Sequence, residues 1–466
     1  MLPDVALLRI FDFYVDKAQA EAWHTLVHVC RTWRNVAFGS PRRLNLRLLC
    51  KARTPVRKIL DIWPRFPIIV VMGGIGKLGI NNNIEALKHK DRICRLLIFK
   101  MPRSELVKVL AALQRPFPAL TFLHIESFGG LGMAPVIPAS FLGGSAPALR
   151  SIHVRSIPFP GLPKLLLSAT HLKILDLWNI PFSGYISPEA IVACLSVLTR
   201  LEKLHIGFES PRSHRDLLHP PPPPPTRTHL PVLTVLRFEG VAEYLEELLS
   251  QIDIPLLHNL RITFFHQLIF HTPQLTRLIN TRISHAPKFK AHCDARVEFS
   301  FWDVTVALPQ IFDGVIELGI AYRPWSVWEP SSVVQLCNLS FPPALIPVVE
   351  HLYIIRNFYS IELSEFQWQE THQWLRIFHS FTDVKNLYIA SELTSRIAFA
   401  LQELVRILGE TVTEVLPALQ TLFLEEPLHS VYVQEAIGRF VAARQLSSHP
   451  ILVSRWERKR TDGREL

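Results

Sequence analysis

One hydrophobic pattern recurs along most of the chain: an apolar residue, two variable positions, a second apolar residue, one variable position and a third apolar residue. Its central residue recurs at separations of 23 to 35 residues, with one separation of 58. The last three positions alternate, which places two side chains on one face of a strand. The pattern predicts short strands centred on Leu96, Leu123, Ile152, Leu175, Leu204, Leu236, Leu260, Leu318, Leu352, Leu387 and Leu422.

Helical patterns lie between several of these strands, at 103–114, 187–198 and 241–252. We expect N-caps within Arg103-Ser104-Glu105 and at Ser187, which precedes a first-turn proline. A short strand cannot bury its apolar face alone, so stacking neighbours into a parallel sheet would complete one core. The longest gap is predicted to hold a degenerate unit near 295–301. The alternative is an ordinary α/β domain whose strands share the pattern.

The repeat resembles that of leucine-rich-repeat proteins, which form α/β solenoids. The asparagine that usually follows the alternating leucines occurs here once, at Asn179, so the resemblance implies irregular repeats.

The first 38 residues depart from this pattern and predict two short helices instead. Leu7, Leu8, Phe11 and Val15 have helical spacing in the first, and Leu26, Val29, Cys30 and Trp33 in the second. About 40 residues cannot bury so many apolar side chains by themselves, and exposed apolar patches typically mark protein-binding surfaces. A capping unit packed on the first repeat is the alternative interpretation.

Two blocks in this segment resemble the F-box: Leu2-Pro3 with Leu7-Leu8-x-Ile10-Phe11, then Val29-Cys30-x-x-Trp33-Arg34. Together with the repeat body, they resemble F-box/leucine-rich-repeat-like proteins of mushroom-forming fungi. The resemblance implies a substrate-receptor subunit of an SCF-type cullin–RING ubiquitin ligase. Such a subunit binds a Skp adaptor, and through it cullin, and holds an unknown protein substrate on its repeats. The implied adaptor-binding residues are Leu2, Pro3, Leu7, Leu8, Ile10, Phe11, Val29, Cys30 and Trp33.

The predicted fold class is therefore α/β: an N-terminal helical F-box followed by an irregular leucine-rich-repeat solenoid with a parallel sheet. Residues 1–45 would form the F-box domain and 46–90 a basic linker with the first cap. Residues 91–445 would form the solenoid and 446–466 a basic tail. A repeat scaffold without ubiquitin-ligase association is the alternative function.

Composition limits the class of protein. The 466 residues are 48% hydrophobic and 19% charged, which is a globular composition. Six cysteines without a CxxC pair favour buried thiols in a reducing compartment. We find neither a signal peptide nor an apolar run long enough for a membrane span. These features predict an intracellular protein, cytoplasmic or nuclear or both, with no membrane partner.

The net charge of +10 is uneven, since residues 1–66 hold twelve Lys/Arg and five Asp/Glu. Nine basic residues and no acidic one lie between Arg31 and Lys58. Three interpretations fit this block: a solvated face, an acidic protein partner, and nucleic acid. No nucleic-acid module accompanies the block, so we do not expect a nucleic-acid partner. If an acidic partner binds, reversing the charge of Arg42 and Arg43 should slow association.

The stretch "VMGGIGKLG" at 71–79 raises the question of a phosphate-binding P-loop. That motif requires glycine where Val71 stands and Ser or Thr where Leu78 stands. The following "INNN" is expected to be a loop. The apolar stretch "FPIIVV" at 66–71 predicts a strand, so the sequence favours a strand followed by a glycine-rich turn over a nucleotide-dependent switch.

No catalytic or metal-binding set is evident. Residues His292-Cys293-Asp294 are adjacent, so neighbouring side chains would face opposite sides of a strand, and the spacing of His266 and His271 suits neither a helix face nor a strand pair. We expect no enzyme activity, no cofactor and no metal.

Two further segments have an ordinary and a functional interpretation. The six prolines at 220–225 suit an unstructured insertion or a polyproline II ligand. The basic run at 455–460 suits a frayed tail or a nuclear-localisation patch.

Overall fold

The computed structural model describes residues 3–17, 23–40, 48–51, 55–62, 65–73, 80–127, 135–211, 227–265, 271–285, 293–300, 303–311, 314–321, 331–341, 345–356, 371–408, 415–425 and 431–458. The chain divides into two compact units. Unit 1 comprises Met1–Ser210, Thr226–Leu233 and Ile252–Leu256, and unit 2 comprises Pro211–Pro225, Thr234–Gln251 and Leu257–Leu466. The division falls inside the region predicted as one repeat array. The six prolines at 220–225 lie outside the described residues.

Unit 1 begins with three helices and continues with alternating strands and helices. Its elements are α1 (Asp4–Lys17), α2 (Trp23–Val29), α3 (Arg31–Gly39), β1 (Leu48–Cys50), α4 (Val56–Ile62), β2 (Ile68–Gly73), α5 (Ile80–Leu87), β3 (Ile93–Met101), α6 (Arg103–Ala112), β4 (Phe122–Ser127), β5 (Ser151–Arg155), α7 (Leu162–Ser168), β6 (Ile174–Ile180), α8 (Pro188–Leu195), β7 (Lys203–Phe208) and β8 (Thr228–His229).

The strands of unit 1 pair in chain order from β1 to β7, and every pair is parallel. The central repeat residues of neighbouring strands are register partners. From β3 to β7 this row consists of Leu96, Leu123, Ile152, Leu175 and Leu204. All five are fully buried. The hydrophobic spacing thus predicted both the strands and their shared core, as expected when a period-2 pattern fixes register.

The parallel sheet starts earlier than expected. The segment 46–90, predicted as a linker and cap, contains β1, α4, β2 and α5, and β2 pairs with both β1 and β3. The segment therefore contributes two strands to the sheet before the first strand of the predicted repeat. The apolar stretch 66–71, which the sequence predicts as a strand before the glycine-rich turn, contributes most of β2, and this strand is buried on both faces.

Unit 2 carries the remaining long strands. Its elements are β9 (Val235–Gly240), α9 (Ala242–Gln251), β11 (Asn259–Phe265), α10 (Pro273–His285), β12 (Cys293–Phe299), β13 (Asp303–Ile311), β14 (Gly314–Ala321), α11 (Ser331–Gln335), β15 (Val349–Arg356), α12 (Thr371–His379), β16 (Asn386–Ile389), α13 (Ser391–Leu408), β17 (Thr421–Leu424), α14 (Val431–Leu446) and β18 (Leu452–Arg455). Between α9 and β11, strand β10 (Ile252–Asp253) pairs with β8 within unit 1.

The strands of unit 2 follow the spatial order β9, β11, β14, β13, β12, β15, β16, β17, β18. Most pairs are parallel, but β13 runs antiparallel to both β12 and β14. The expectation of a wholly parallel sheet is corrected here. A strand does occur at the predicted degenerate unit, as β12, in which Ala295 and Val297 are register partners of Leu352 and Ile354.

The helices follow the predicted pattern with local corrections. Ser187 caps α8 as predicted, because its hydroxyl accepts a hydrogen bond from Ala190 N at 3.3 Å. For α6, Pro102 occupies the N-cap position and no side chain caps the helix, so the predicted cap within 103–105 was wrong. The helix begins directly after Pro102, so Ser104 lies inside its first turn and not at the N-cap position. Within the described ranges, no helix is both long and apolar enough to cross a membrane.

The C-terminal segment is not simply a frayed tail. Strand β18 pairs in parallel with β17, Leu452 N donates to Gln420 O at 2.8 Å, and Trp456 N donates to Leu424 O at 2.8 Å. Arg458 also donates to the carbonyl of Arg356 at 3.2 Å. Backbone pairing therefore orders the segment 452–458, part of which was predicted to fray. Residues 459–466 lie outside the described residues.

Candidate functional site

Four of the nine residues implied by the F-box resemblance hold the N-terminal helices together. Leu7 and Leu8 are buried and Phe11 is fully buried on α1. The ring of Phe11 packs against Trp33 of α3, with centroids 5.0 Å apart at an angle of 58°. Such a tilted aromatic pair adds stability beyond the area that it buries. These four side chains therefore support the helices, and Leu7, Leu8 and Phe11 are not available as contact residues.

The other motif residues that the structure describes lie at the surface. Pro3 and Cys30 are exposed, and the exposed fractions of Ile10 and Val29 are 46% and 55%. Leu2 lies outside the described residues. Two further large apolar residues on α1, Val5 and Phe13, are exposed as well. The sequence interpretation did not single them out because they fall off the helical stripe that contains Leu7 and Phe11.

The second motif block marks a break between two helices. Cys30 has extended backbone angles (φ −158°, ψ 173°) and lies between α2 and α3. Its sulfur accepts a hydrogen bond from Trp33 N at 3.5 Å, and Arg34 Nε donates to Val27 O at 2.9 Å. The expectation of one second helix is corrected: the pattern continues through the block, but the backbone turns at Cys30. Capping by a short side chain competes with helix continuation.

The basic block is exposed where the structure describes it. Arg31, Arg34, Lys51 and Lys58 are exposed, and Arg57 approaches Glu85 at 3.5 Å. The residues at 41–47, which include Arg42 and Arg43, lie outside the described residues. A surface ion pair of this kind adds little stability. The described basic residues of the block are therefore exposed and carry a predominantly positive charge.

The outward positions of β4 to β7 form a row of polar side chains. His124, His153, Asp176 and His205 are successive register partners across these four strands. Asp176 Oδ2 lies 2.8 Å from His153 Nδ1, and Asp176 Oδ1 lies 2.8 Å from His205 Nδ1. Each of these residues occupies the variable position between two buried repeat residues, so the alternation that builds the core also aligns the row.

Asp176 is the electrostatic centre of this row. Burial by itself would raise the pKa of its carboxyl group. The hydrogen bond from His153, the close approach of His205 and the charge of Arg155 together outweigh burial and hold that pKa well below its usual range. Arg155 Nη2 donates to Asp176 Oδ2 at 3.1 Å. Asp176 is therefore ionised and acts only as a hydrogen-bond acceptor.

Nearby, Trp178 packs on His205 with ring centroids 4.5 Å apart. Asn179 adopts a left-handed backbone (φ 54°) and donates from Nδ2 to Ser156 Oγ at 2.8 Å. Asparagine tolerates this conformation better than most residues. The single asparagine of the repeat pattern thus links the C-terminal end of β6 to Ser156, which follows β5.

In unit 2, the equivalent outward positions of β15, β16 and β17 are aromatic. Tyr353, Tyr388 and Phe423 are register partners on β15, β16 and β17, and their rings stack at 4.2 and 4.4 Å. Trp456 meets Tyr388 edge-on at 5.5 Å. Burial, Asp294 and Tyr388 raise the pKa of Tyr353 to about 12. Tyr and Trp commonly dominate binding energy at protein interfaces, so this aromatic row is a second candidate surface.

Packing explains the first glycine of the glycine-rich stretch. A Cβ atom at Gly73 would lie 2.6 Å from the carbonyl oxygen of Phe99 and 2.7 Å from its ring. The expectation of a loop at "INNN" was wrong, because α5 begins at Ile80 and Asn83 is buried. A strand and a helix therefore flank the stretch, yet the two mismatched motif positions, Val71 and Leu78, remain. Residues 74–79 lie outside the described residues.

The remaining chemical candidates are the histidines and cysteines singled out in the sequence. Among the residues that the structure describes, no three His, Cys, Asp or Glu side chains are placed to hold a metal ion. Cys293 and Asp294 lie on β12, whereas His266 and His292 lie outside the described residues. Cys50, Cys194 and Cys337 are free and buried, and burial raises the pKa of Cys50 and Cys194 to about 11 and that of Cys337 to about 12. These thiols are poor nucleophiles at neutral pH.

The sequence matches no protein-family model and no curated protein.

Proposed function

We propose that the chain is a substrate-receptor subunit of an SCF-type ubiquitin ligase. In this proposal the N-terminal helices form an F-box that binds a Skp adaptor and through it cullin. The strands form an irregular leucine-rich-repeat solenoid that holds a protein substrate, while the partners carry out the chemistry. The complex would act in the cytoplasm, the nucleus or both.

The division of the motif into two sets of residues carries this proposal. Leu7, Leu8 and Phe11 form the buried face of α1, whereas Ile10 and Val29 leave about half of their surface exposed to solvent. Val5 and Phe13 add exposed apolar area on α1. Burial against a partner would remove this area from water at about 25 cal/mol per Å². A motif that served only packing would have no need for its exposed apolar members.

The test is a binding measurement between the full chain and the matching Skp adaptor. We expect Val29→Asp and Ile10→Asp each to weaken binding by about 30-fold or more, because a buried unpaired carboxylate at an interface costs about 2 kcal/mol or more. The matched control is Val107→Asp. Val107 is also a valine on a helix, is 50% exposed, and lies on α6 away from the motif.

Wild-type protein that is folded but does not bind the adaptor would reject the ligase function. The scaffold alternative would then stand, because the outward rows of β4–β7 and of β15–β17 do not depend on the N-terminal helices. Equal losses from Val29→Asp and Val107→Asp would reject the assignment of the exposed motif residues to the interface. Circular dichroism of each variant separates lost binding from lost folding.

A further inference from the structure

Three side chains on β5 and β6 form a continuous hydrogen-bonded chain that the proposed receptor function does not use. Ser151 Oγ lies 2.8 Å from His153 Nε2, and His153 Nδ1 lies 2.8 Å from Asp176 Oδ2. Ser151 and His153 are two residues apart on one strand and share a face. A hydroxyl, an imidazole and a carboxylate joined through these atoms have the connectivity by which a base activates a serine.

The charge state of Asp176 fixes the direction of each hydrogen bond. An ionised carboxylate can only accept, so His153 Nδ1 must carry the proton that it shares with Asp176. In the neutral imidazole, Nε2 then has a free lone pair, and the hydroxyl of Ser151 must donate to it. This tautomer is the one in which histidine can take a proton from serine.

The surroundings hold this arrangement in place and limit what can reach it. Arg155 and His205 approach Asp176 from two other positions, at 3.1 and 2.8 Å, which restrains the carboxylate from turning away from His153. The register partners of Ser151 are Phe122 and Ile174, both half-buried. Ser151 itself is only 8% exposed. Small electrophiles with an apolar group therefore fit this position better than large ones.

We propose that Ser151 is an activated nucleophile that accepts small acyl groups from esters. Ser151 Oγ attacks the ester carbonyl, a new Oγ–C bond forms, and the bond from the carbonyl carbon to the alcohol oxygen breaks. The serine proton passes to His153 Nε2 and then to the departing alcohol. Asp176 is a positioning residue that keeps the imidazole in the required tautomer. This proposal does not depend on binding to a Skp adaptor.

The test treats the full chain with diisopropyl fluorophosphate, and separately with 4-nitrophenyl acetate, and locates the adduct by mass spectrometry of peptides. With the fluorophosphate, an Oγ–P bond forms and fluoride leaves. We expect one adduct, on Ser151, which Ser151→Ala abolishes. Asp176→Asn should slow labelling by about 100-fold or more, because an amide that donates to Nδ1 leaves the proton on Nε2.

Ser140→Ala is the matched control, since Ser140 is exposed and its hydroxyl donates to Gln114 Oε1 at 3.0 Å, not to an imidazole. This variant should be labelled like wild type. Ser151→Thr keeps the hydroxyl, adds one methyl group and should retain slow labelling, whereas Ser151→Ala should retain none. Absence of an adduct on Ser151 in folded wild type, or labelling of Ser140 at the same rate, would overturn the proposal. An unchanged rate in Asp176→Asn would do so too.

Discussion

Phe11 and Ile10 are neighbours on α1, yet their truncation should have different consequences. Phe11 is fully buried against Trp33, whereas Ile10 is 46% exposed. Removing a buried phenylalanine ring costs about 3–5 kcal/mol, because the lost transfer energy and the cavity add. Ile10→Ala leaves no closed cavity and removes only part of a side chain's burial, so its cost should be about 1 kcal/mol. The expected difference is about 2 kcal/mol or more.

Amide hydrogen exchange on the full chain measures this difference locally. In Phe11→Ala, peptides from α1 and α3 should lose about 100-fold or more of their protection, since each 1.4 kcal/mol corresponds to a factor of ten. In Ile10→Ala the loss should be about fivefold, while peptides from β5 should keep their protection in both variants. Phe11→Leu conserves much of the volume and should recover most of the protection.

Similar protection of α1 and α3 in Phe11→Ala and in wild type would refute the division of the motif into buried and exposed members. The same result would remove the reason for choosing Ile10 and Val29 as the adaptor-binding test.

Two further predictions concern Asp176 and Gly73 of unit 1, and Gly438 of unit 2 is the control for the second. Because hydrogen bonds lower the pKa of Asp176, its stabilising contribution is present above the unfolded-state value of about 4 and is lost as the pH falls below it. Urea unfolding between pH 7 and pH 3 should therefore show a larger loss of unfolding free energy in wild type than in Asp176→Asn, and equal losses would contradict this. Gly73→Ala should lower the unfolding free energy by about 1–3 kcal/mol through its clash with Phe99, as read from the denaturant midpoint. Gly438→Ala, where a Cβ meets nothing within 4 Å inside α14, should instead be neutral or stabilising.

The regular strands could be predicted because each one is specified by the alternation of apolar residues within its own short segment of sequence. In β4, Leu123 and Ile125 are buried and His124 between them is less buried, so the alternation in sequence is the alternation in space. The strands from 295 to 321 were harder to predict. Leu308 and Val306 also alternate, but nothing in that pattern states that β13 runs antiparallel to its neighbours. Strand direction depends on the connections. Only three residues separate β12 from β13 and only two separate β13 from β14, which permits a hairpin but not the crossover that a parallel pair needs.

The chain of Ser151, His153 and Asp176 could not be predicted from sequence motifs. His153 and Asp176 lie 23 residues apart, and only the register of β5 against β6 brings them together. Catalytic sets are recognisable in a sequence when their residues are adjacent or have a known motif spacing, and neither applies to these three residues. The aromatic row of Tyr353, Tyr388 and Phe423 depends on register in the same way, although each residue occupies the same variable position of its own repeat.

The reversed order of β12, β13 and β14 has a consequence for the path of folding during synthesis. The ribosome releases β12 before β14, yet in the folded protein β11 pairs with β14 and not with β12. For the time needed to make β13 and β14, β11 presents an open edge to a strand that belongs elsewhere. A nascent chain that pairs β12 with β11 must break that pairing before β14 can take its native position beside β11. Non-local pairings of this kind slow folding and favour trapped intermediates, so translation speed through residues 293–321 should influence the yield of native protein.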